Sequence, residues 1–225
     1  MIKRYLDTVY ADPVKGQMLH YVETMLKPVD KRSKSGKIYP FRSRFGHTTR
    51  VLEWALRINE QEKGDAEILT VAAIFHDLGY SVGGEGHAKI SERMFLEYAE
   101  RYGLYGYEGR AAKPAQQCLE IAAAIGVHSD KRRTDDQLTI EQRILMDADL
   151  LDEAGAMSVL WSCFVVAKQE AYDFGDALQE IRAAYQRLQE SAELFHTDSG
   201  RAYHRQMQSH VGDFIHNLSF ELNLE

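Results

Sequence analysis

The sequence predicts an all-α protein, on three observations. Only four prolines occur in 225 residues. Runs of β-branched residues are few, and apolar residues recur at spacings of three and four along most of the chain. Hydrophobic residues make up 44% and charged residues 27%, the balance of an ordinary globular protein that buries a substantial core.

The elements follow in order. The pattern breaks at Pro13 and again over residues 27–40, where Lys31, Arg32, Lys34, Gly36 and Lys37 read as a basic loop. From about Ser43 the residues Val51, Trp54, Ala55 and Ile58 define one helix face, with His47 one turn before Val51 on that face. Asp65 is suited to cap the next helix, in which Ile68, Leu69, Ala72, Ala73 and Phe75 lead into His76-Asp77 on the last turn before Gly79. A helix over residues 86–102 turns Ile90, Met94 and Tyr98 inward, with His87 one turn before Ile90, and Gly103 ends it. Pro114 suits the first turn of the following helix, whose face of Cys118, Ile121 and Ile125 is extended by His128. After the polar run Lys131-Arg132-Arg133, Thr139 and Gln142 resemble a capping box for the helix that carries Asp147, Asp149 and Asp152. Three further helices are expected over residues 157–172, 176–195 and 200–222.

With no internal repeat or linker, the economical reading is one helical domain over residues 1–225. A small separately folding C-terminal unit is the alternative. The formal net charge of −7 argues against nucleic-acid binding by bulk electrostatics. Cys118 and Cys163 lie inside apolar helical patterns and read as reduced core thiols rather than a disulfide. No apolar run reaches the length of a bilayer span or a secretory signal, so a cytoplasmic location without membrane partners is expected.

The histidines and acids carry the chemistry. An inward histidine taken singly reads as a hydrogen-bonded core residue. His47, His76, His87 and His128, however, all lie at helix ends or on apolar faces, and each can offer a neutral ring nitrogen to a cation. The run Ile144-Leu145-Met146-Asp147-Ala148-Asp149-Leu150-Leu151-Asp152 places three acids in an apolar helix, and an unpartnered buried carboxylate costs several kcal/mol. A divalent ion offsets that cost. Asp152 reads as a solvent-facing acid or a partner of Arg143 rather than as a ligand.

His47, then Phe75-His76-Asp77-Leu78-Gly79, then Asp147-Ala148-Asp149 resemble the H…HD…D signature of the HD-domain superfamily of metal-dependent phosphohydrolases. Phe41-Arg42-Ser43-Arg44, Gly86-His87-Ala88, Ile125-Gly126-Val127-His128-Ser129 and residues 149–155 add a resemblance to the small bacterial HD hydrolases. The resemblance implies an HD-domain helical bundle with its core at about residues 41–155, and a C-terminal helical extension at about 156–222. It implies that His47, His76, Asp77 and Asp149 bind a first metal, that His87 and His128 serve a second metal or catalysis, and that Asp77 would bridge the two. The sequence after His76-Asp77 lacks the Glu-Asp pair of the hydrolases of guanosine tetraphosphate and the Gly-Tyr-Pro motif of the cyclic-dinucleotide phosphodiesterases, which disfavours both activities.

The expected function is hydrolysis of a small phosphate ester or anhydride, a nucleotide above all, by metal-activated water. Arg44, one turn before His47, and Lys131 and Arg132, after His128, are candidate phosphate-binding residues. One or two divalent ions are expected, with manganese, iron, cobalt, nickel or zinc favoured over magnesium by the imidazole and carboxylate ligands. The partner is a small phosphorylated substrate, and a homo-oligomer is left open. The alternative function is that of an HD-type di-iron oxygenase cleaving a carbon bond of a small polar substrate, since the same ligand set serves both.

For the acidic helix the two lines of reading diverge. Periodicity selects Asp147, whose neighbours at three and four residues include Ile144, Leu150 and Leu151, whereas the resemblance aligns the metal aspartate with Asp149 and leaves Asp147 as an acceptor that orients a ligating histidine. On the second reading Asp149→Ala loses bound metal in elemental analysis, while Asp147→Asn keeps a measurable share. The reverse pattern would make Asp147 the ligand.

Overall fold

The computed structural model describes residues 5–30, 43–104, 115–168 and 172–224. Among these residues there are ten α-helices and no strand: α1 Tyr5–Ala11, α2 Pro13–Asp30, α3 Arg44–Glu62, α4 Ala66–Phe75, α5 His87–Arg101, α6 Gln116–Val127, α7 Ile140–Leu151, α8 Ala156–Val166, α9 Phe174–Glu190 and α10 Asp198–Glu221. The chain divides into two compact units, Met1–Asp149 and Leu150–Glu225. The expected basic loop at Lys31, Arg32, Lys34, Gly36 and Lys37, the Phe41-Arg42 pair and Pro114 lie outside the described residues.

The first unit is organised around α4. Asp65 caps it, its carboxylate accepting from Glu67 N at 2.8 Å and Ile68 N at 3.2 Å. Every residue from Ile68 to Phe75 is buried, so α4 is apolar on all sides and serves as the central rod of the unit. Helices α2, α3, α5 and α6 pack against it. Its last residue, Phe75, meets the rings of Phe95 and Tyr98 at 5.3 and 5.1 Å. Helix α3 starts on Ser43, whose hydroxyl accepts from Gly46 N. Helix α7 starts on the expected reciprocal cap: Thr139 N donates to Gln142 Oε1 at 3.0 Å and Gln142 N to Thr139 Oγ1 at 3.4 Å.

Three expectations for the first unit need correction. Helix α2 runs through Lys27 and Pro28 to Asp30, because Leu26 is fully buried and the proline removes a single N–H within the last turn. On α5 the buried stripe is Ala88, Ser91, Phe95, Tyr98 and Ala99, with Ile90 and Met94 only half-buried at its edge; packing of Phe95 on Phe75 rotates the helix away from the face that periodicity selects. His76-Asp77 does not form the last turn of α4. The helix ends at Phe75, His76 is its cap, and Asp77 leaves the helical conformation (φ −103°, ψ 6°) to open a short 3-10 turn, Leu78–Ser81.

In the second unit Val159, Ile181 and Val211 form a small core, surrounded by Cys163, Tyr185, Ile215 and Leu218. Helix α9 opens on a capping box between Asp173 and Asp176, and α10 opens on Thr197, whose hydroxyl accepts from Gly200 N. Arg182 Nη2 donates to Ser219 Oγ at 2.8 Å, tying α9 to α10. Helix α8 ends at Val166, short of the expected residue 172. Among the described residues no helix is long and apolar enough to cross a membrane.

The 3-10 turn is locked to α5. Gly79 N donates to the buried Ser91 Oγ at 2.7 Å, and a Cβ on Gly79 would overlap the carbonyl of His87 and lie 3.0 Å from its Cα. Gly83, four residues on, has open space around it. Gly79→Ala is therefore expected to lower stability in urea denaturation by about 1–3 kcal/mol, the usual cost of overpacking. Gly83→Ala should be neutral or stabilising by about 0.4–1 kcal/mol through the unfolded chain.

Candidate metal centre

Five segments of the first unit deliver the polar cluster. The first turn of α3 supplies Arg44 and His47, the end of α4 supplies His76 and Asp77, and the start of α5 supplies His87. His128 caps α6, followed shortly by Lys131, and α7 carries Asp149. The end of an apolar rod is a costly place for a carboxylate, and Asp77 is almost completely buried there.

The carboxylate of Asp77 is divided between two pairs of imidazoles. Its Oδ2 lies 3.4 Å from His47 Nε2 and 3.7 Å from His76 Nε2, and accepts from Arg44 Nη1 at 3.0 Å. Its Oδ1 lies 3.4 Å from His87 Nε2 and 3.7 Å from His128 Nε2. Asp149 joins the first pair, with Oδ1 3.2 Å from His47 Nε2, while its Oδ2 accepts from Lys131 Nζ at 2.6 Å. Lys131 donates also to Met146 O at 3.1 Å.

Backbone carbonyls set the tautomers. His76 Nδ1 lies 2.8 Å from Ala73 O, His128 Nδ1 2.7 Å from Ile125 O and His87 Nδ1 3.2 Å from Gly84 O, each three residues back. A carbonyl only accepts, so each Nδ1 carries the proton and the neutral ring presents a lone pair on Nε2. Those lone pairs converge. His87 Nε2 is 3.2 Å from His128 Nε2, and His76 Nε2 is 3.3 Å from His47 Nε2. In the His87–His128 pair the two lone pairs face each other and repel unless a proton or a cation stands between them. Two donor sets suited to a metal ion result, His47 with His76 and Asp149, and His76 with Asp77 and His128.

Electrostatics disfavours the proton on two of these rings. Burial pushes the His76 ring down to about 4, against the opposing pull of Asp77, and burial likewise pushes His87 below the ordinary histidine value. Burial alone would raise the Asp77 carboxyl, but the surrounding His76, His128 and His47 more than offset it and hold it below the ordinary range. For Asp149 burial is likewise opposed, first by Lys131 and then by His47, and the carboxyl lies well below its usual value. Neutral imidazoles beside ionised carboxylates are the protonation states that metal ligation requires.

The structure thus brings together His47, His76, Asp77, His87, His128 and Asp149, with Arg44 and Lys131 at the edge. Asp147 is fully buried on the same helix as Asp149. Arg132 is exposed, and among the described residues no hydrogen bond or ion pair ties it to the cluster. Sequence reasoning passed over Tyr80, whose ring stacks on His87 (centroids 4.3 Å apart, 26° between planes) and lies 3.8 Å below the Arg44 guanidinium carbon. Its only signal was an aromatic residue beside a glycine just after His76-Asp77, a pattern that fits core packing equally well.

Histidines and aspartates gathered at the end of the central helix of a helical bundle form groups that could hold a metal ion. Residues 44–154 match the HD domain family model, and the chain carries an HD domain over that stretch. It is 24% identical over 177 residues to the uncharacterized protein YpgQ of Bacillus subtilis, covering 78% of this chain and 82% of that one. The crystal structure of B. subtilis YpgQ in complex with ADP superposes with a TM-score of 0.59 at 20% identity, covering 92% of this chain and 93% of the other. An HD-superfamily hydrolase from Bacillus thuringiensis superposes with a TM-score of 0.66 at 18% identity, covering 93% and 97%. At these identities the structural likeness speaks for the fold.

Because a ligand that binds only the folded state stabilises it by about 2.7 kcal/mol at a hundred times its Kd, manganese should raise the urea midpoint of the chain and chelator should lower it. His76→Gln should flatten that response. In the chelator-stripped chain the folded His76 ring titrates near 4, below the unfolded value of 6.5. The stability it contributes is therefore present above pH 6.5 and is lost as pH falls toward 4. The urea midpoint should drop across that window, and less steeply in His76→Gln.

Proposed function

We propose that the chain is a metal-dependent phosphohydrolase acting on a small phosphate ester or anhydride, a nucleotide above all. One observation carries the reading: the Asp77 carboxylate is split between two imidazole pairs, with the cations of Arg44 and Lys131 beside the two carboxylates. His47, His76, Asp77 and Asp149 would hold a first ion, and His87 and His128, with the other oxygen of Asp77, would hold a second. Mixed imidazole and carboxylate donors suit manganese, iron, cobalt, nickel or zinc better than magnesium. When bound, such ions supply Lewis acidity, lowering the pKa of water toward neutrality.

The chain's own residues account for the rest of the proposed chemistry. Hydrolysis adds water across a P–O bond, and negative charge grows on the phosphoryl oxygens as the new bond forms. Arg44 and Lys131 are placed to donate N–H bonds to those oxygens. Lys131 spends two of its three donors on Asp149 and Met146 O, which fixes the ammonium and leaves one for a substrate. Asp147, buried on α7 two residues before Asp149, is assigned the supporting role of orienting a ligating histidine. The ADP bound by YpgQ and the hydrolase designation of the B. thuringiensis protein support a phosphorylated nucleotide as the substrate class.

Screening nucleoside mono-, di- and triphosphates with the manganese-reconstituted chain, under anaerobic conditions, tests the reading. Phosphate or pyrophosphate release is expected, suppressed by excess chelator and lowered at least about a hundredfold in Asp77→Ala, with helical content unchanged. Absence of phosphate or pyrophosphate release there, with substrate-dependent oxygen uptake when the same screen is repeated in air, would overturn it in favour of the oxygenase.

A further inference from the structure

We infer that Tyr80 is a positioning residue of the metal centre: its ring, held between Arg44 and His87, sets the place of the second histidine pair relative to the phosphate-side cation. The inference rests on the proposed function for its consequence and on packing for its mechanism.

The placement is geometric. The Arg44 guanidinium carbon lies 3.8 Å over the Tyr80 ring, and the His87 ring stacks on it at 4.3 Å. Two planar groups that close to one ring centroid would overlap on a single face, so they occupy opposite faces. Both flanking groups then reach the same carboxylate, Arg44 through Asp77 Oδ2 at 3.0 Å and His87 toward Oδ1 at 3.4 Å. Tyr80 is thus the spacer of a closed loop, Asp77 to Arg44 to Tyr80 to His87 and back to Asp77.

The spacer is itself anchored. It sits on the 3-10 turn that follows Asp77, and Gly79 fixes that turn against the start of α5 through its N–H to Ser91 Oγ and its contact with the His87 backbone. Of the three cluster histidines tied to a carbonyl, His87 has the greatest need of such support. His76 and His128 are fully buried and tied to carbonyls at 2.8 and 2.7 Å, whereas His87 is only half-buried and its carbonyl lies at 3.2 Å. The ring of Tyr80 supplies the missing constraint. With both faces covered, Tyr80 does not serve as a platform for stacking a substrate's base.

The test compares the chelator-stripped full chain with Tyr80→Phe, Tyr80→Leu and Tyr80→Met, the last reading the loss of the ring at similar volume should Tyr80→Leu fail to fold. Two readouts are used, calorimetric titration with manganese and the ring-current shift of the His87 carbon-bound protons. The parent and Tyr80→Phe should bind two ions and show the shift. Tyr80→Leu and Tyr80→Met should keep the first ion, bind the second roughly 10–100-fold more weakly, as when a supporting partner of a ligand is removed, and lose the shift. Equal second-site affinity in all four, or loss in Tyr80→Phe as well, would overturn the inference. A parent that shows the ring-current shift but binds no ion would overturn the proposed function and leave the Tyr80 placement standing.

Discussion

A carboxylate at the buried end of an apolar helix retains its charge only if positive or hydrogen-donating groups surround it, and the environment of Asp77 is built around that requirement. Helix α4 is buried along its whole length from Ile68, so its C-terminal end emerges inside the protein rather than at the surface. At that point the chain departs from the helix, and the carboxylate lies with one oxygen toward His47, His76 and Arg44 and the other toward His87 and His128. The elements of the first unit that surround it, α3, α5 and α6, each contribute an end rather than a middle. Helix ends are where side chains can converge without displacing the packed stripe that holds the helix in place.

The same constraint explains why the imidazoles are oriented by the backbone. A carbonyl three residues back fixes Nδ1 as the donor in His76, His87 and His128, using carbonyls freed where a helix or turn ends. The nitrogen left facing the cluster is then the basic one. Packing, tautomer and ligand direction are therefore a single device. The two edge cations extend it: Arg44 is held by Asp77 and Lys131 by Asp149, so each carboxylate has a permanent positive partner as well as a histidine.

Much of this was legible in the sequence because it is local. The cap at Asp65, the reciprocal cap of Thr139 with Gln142, the apolar run into His76-Asp77 and the faces that carry His47 and His128 are patterns within ten residues of one another. What periodicity could not supply depends on how helices meet. On α7 it points to Asp147, which is indeed fully buried, yet the acid that faces His47 is Asp149, on a side of the helix that is partly exposed. The inward face of α5 was displaced for the same reason, since contact between Phe95 and Phe75 rather than overall amphipathicity sets its rotation. Tyr80 and the exclusion of Arg132 from the cluster are both consequences of tertiary placement, with no local signature.

Under the proposed function Asp77 would hold two ions, one on each oxygen, and the most direct measurement of this is anomalous diffraction at the manganese edge from crystals of the manganese-loaded chain. Two peaks are expected, one among His47, His76, Asp149 and Asp77 Oδ2, the other among His87, His128 and Asp77 Oδ1. A single peak or none beside Asp77 in fully loaded crystals, or peaks confined to other residues, would contradict the account.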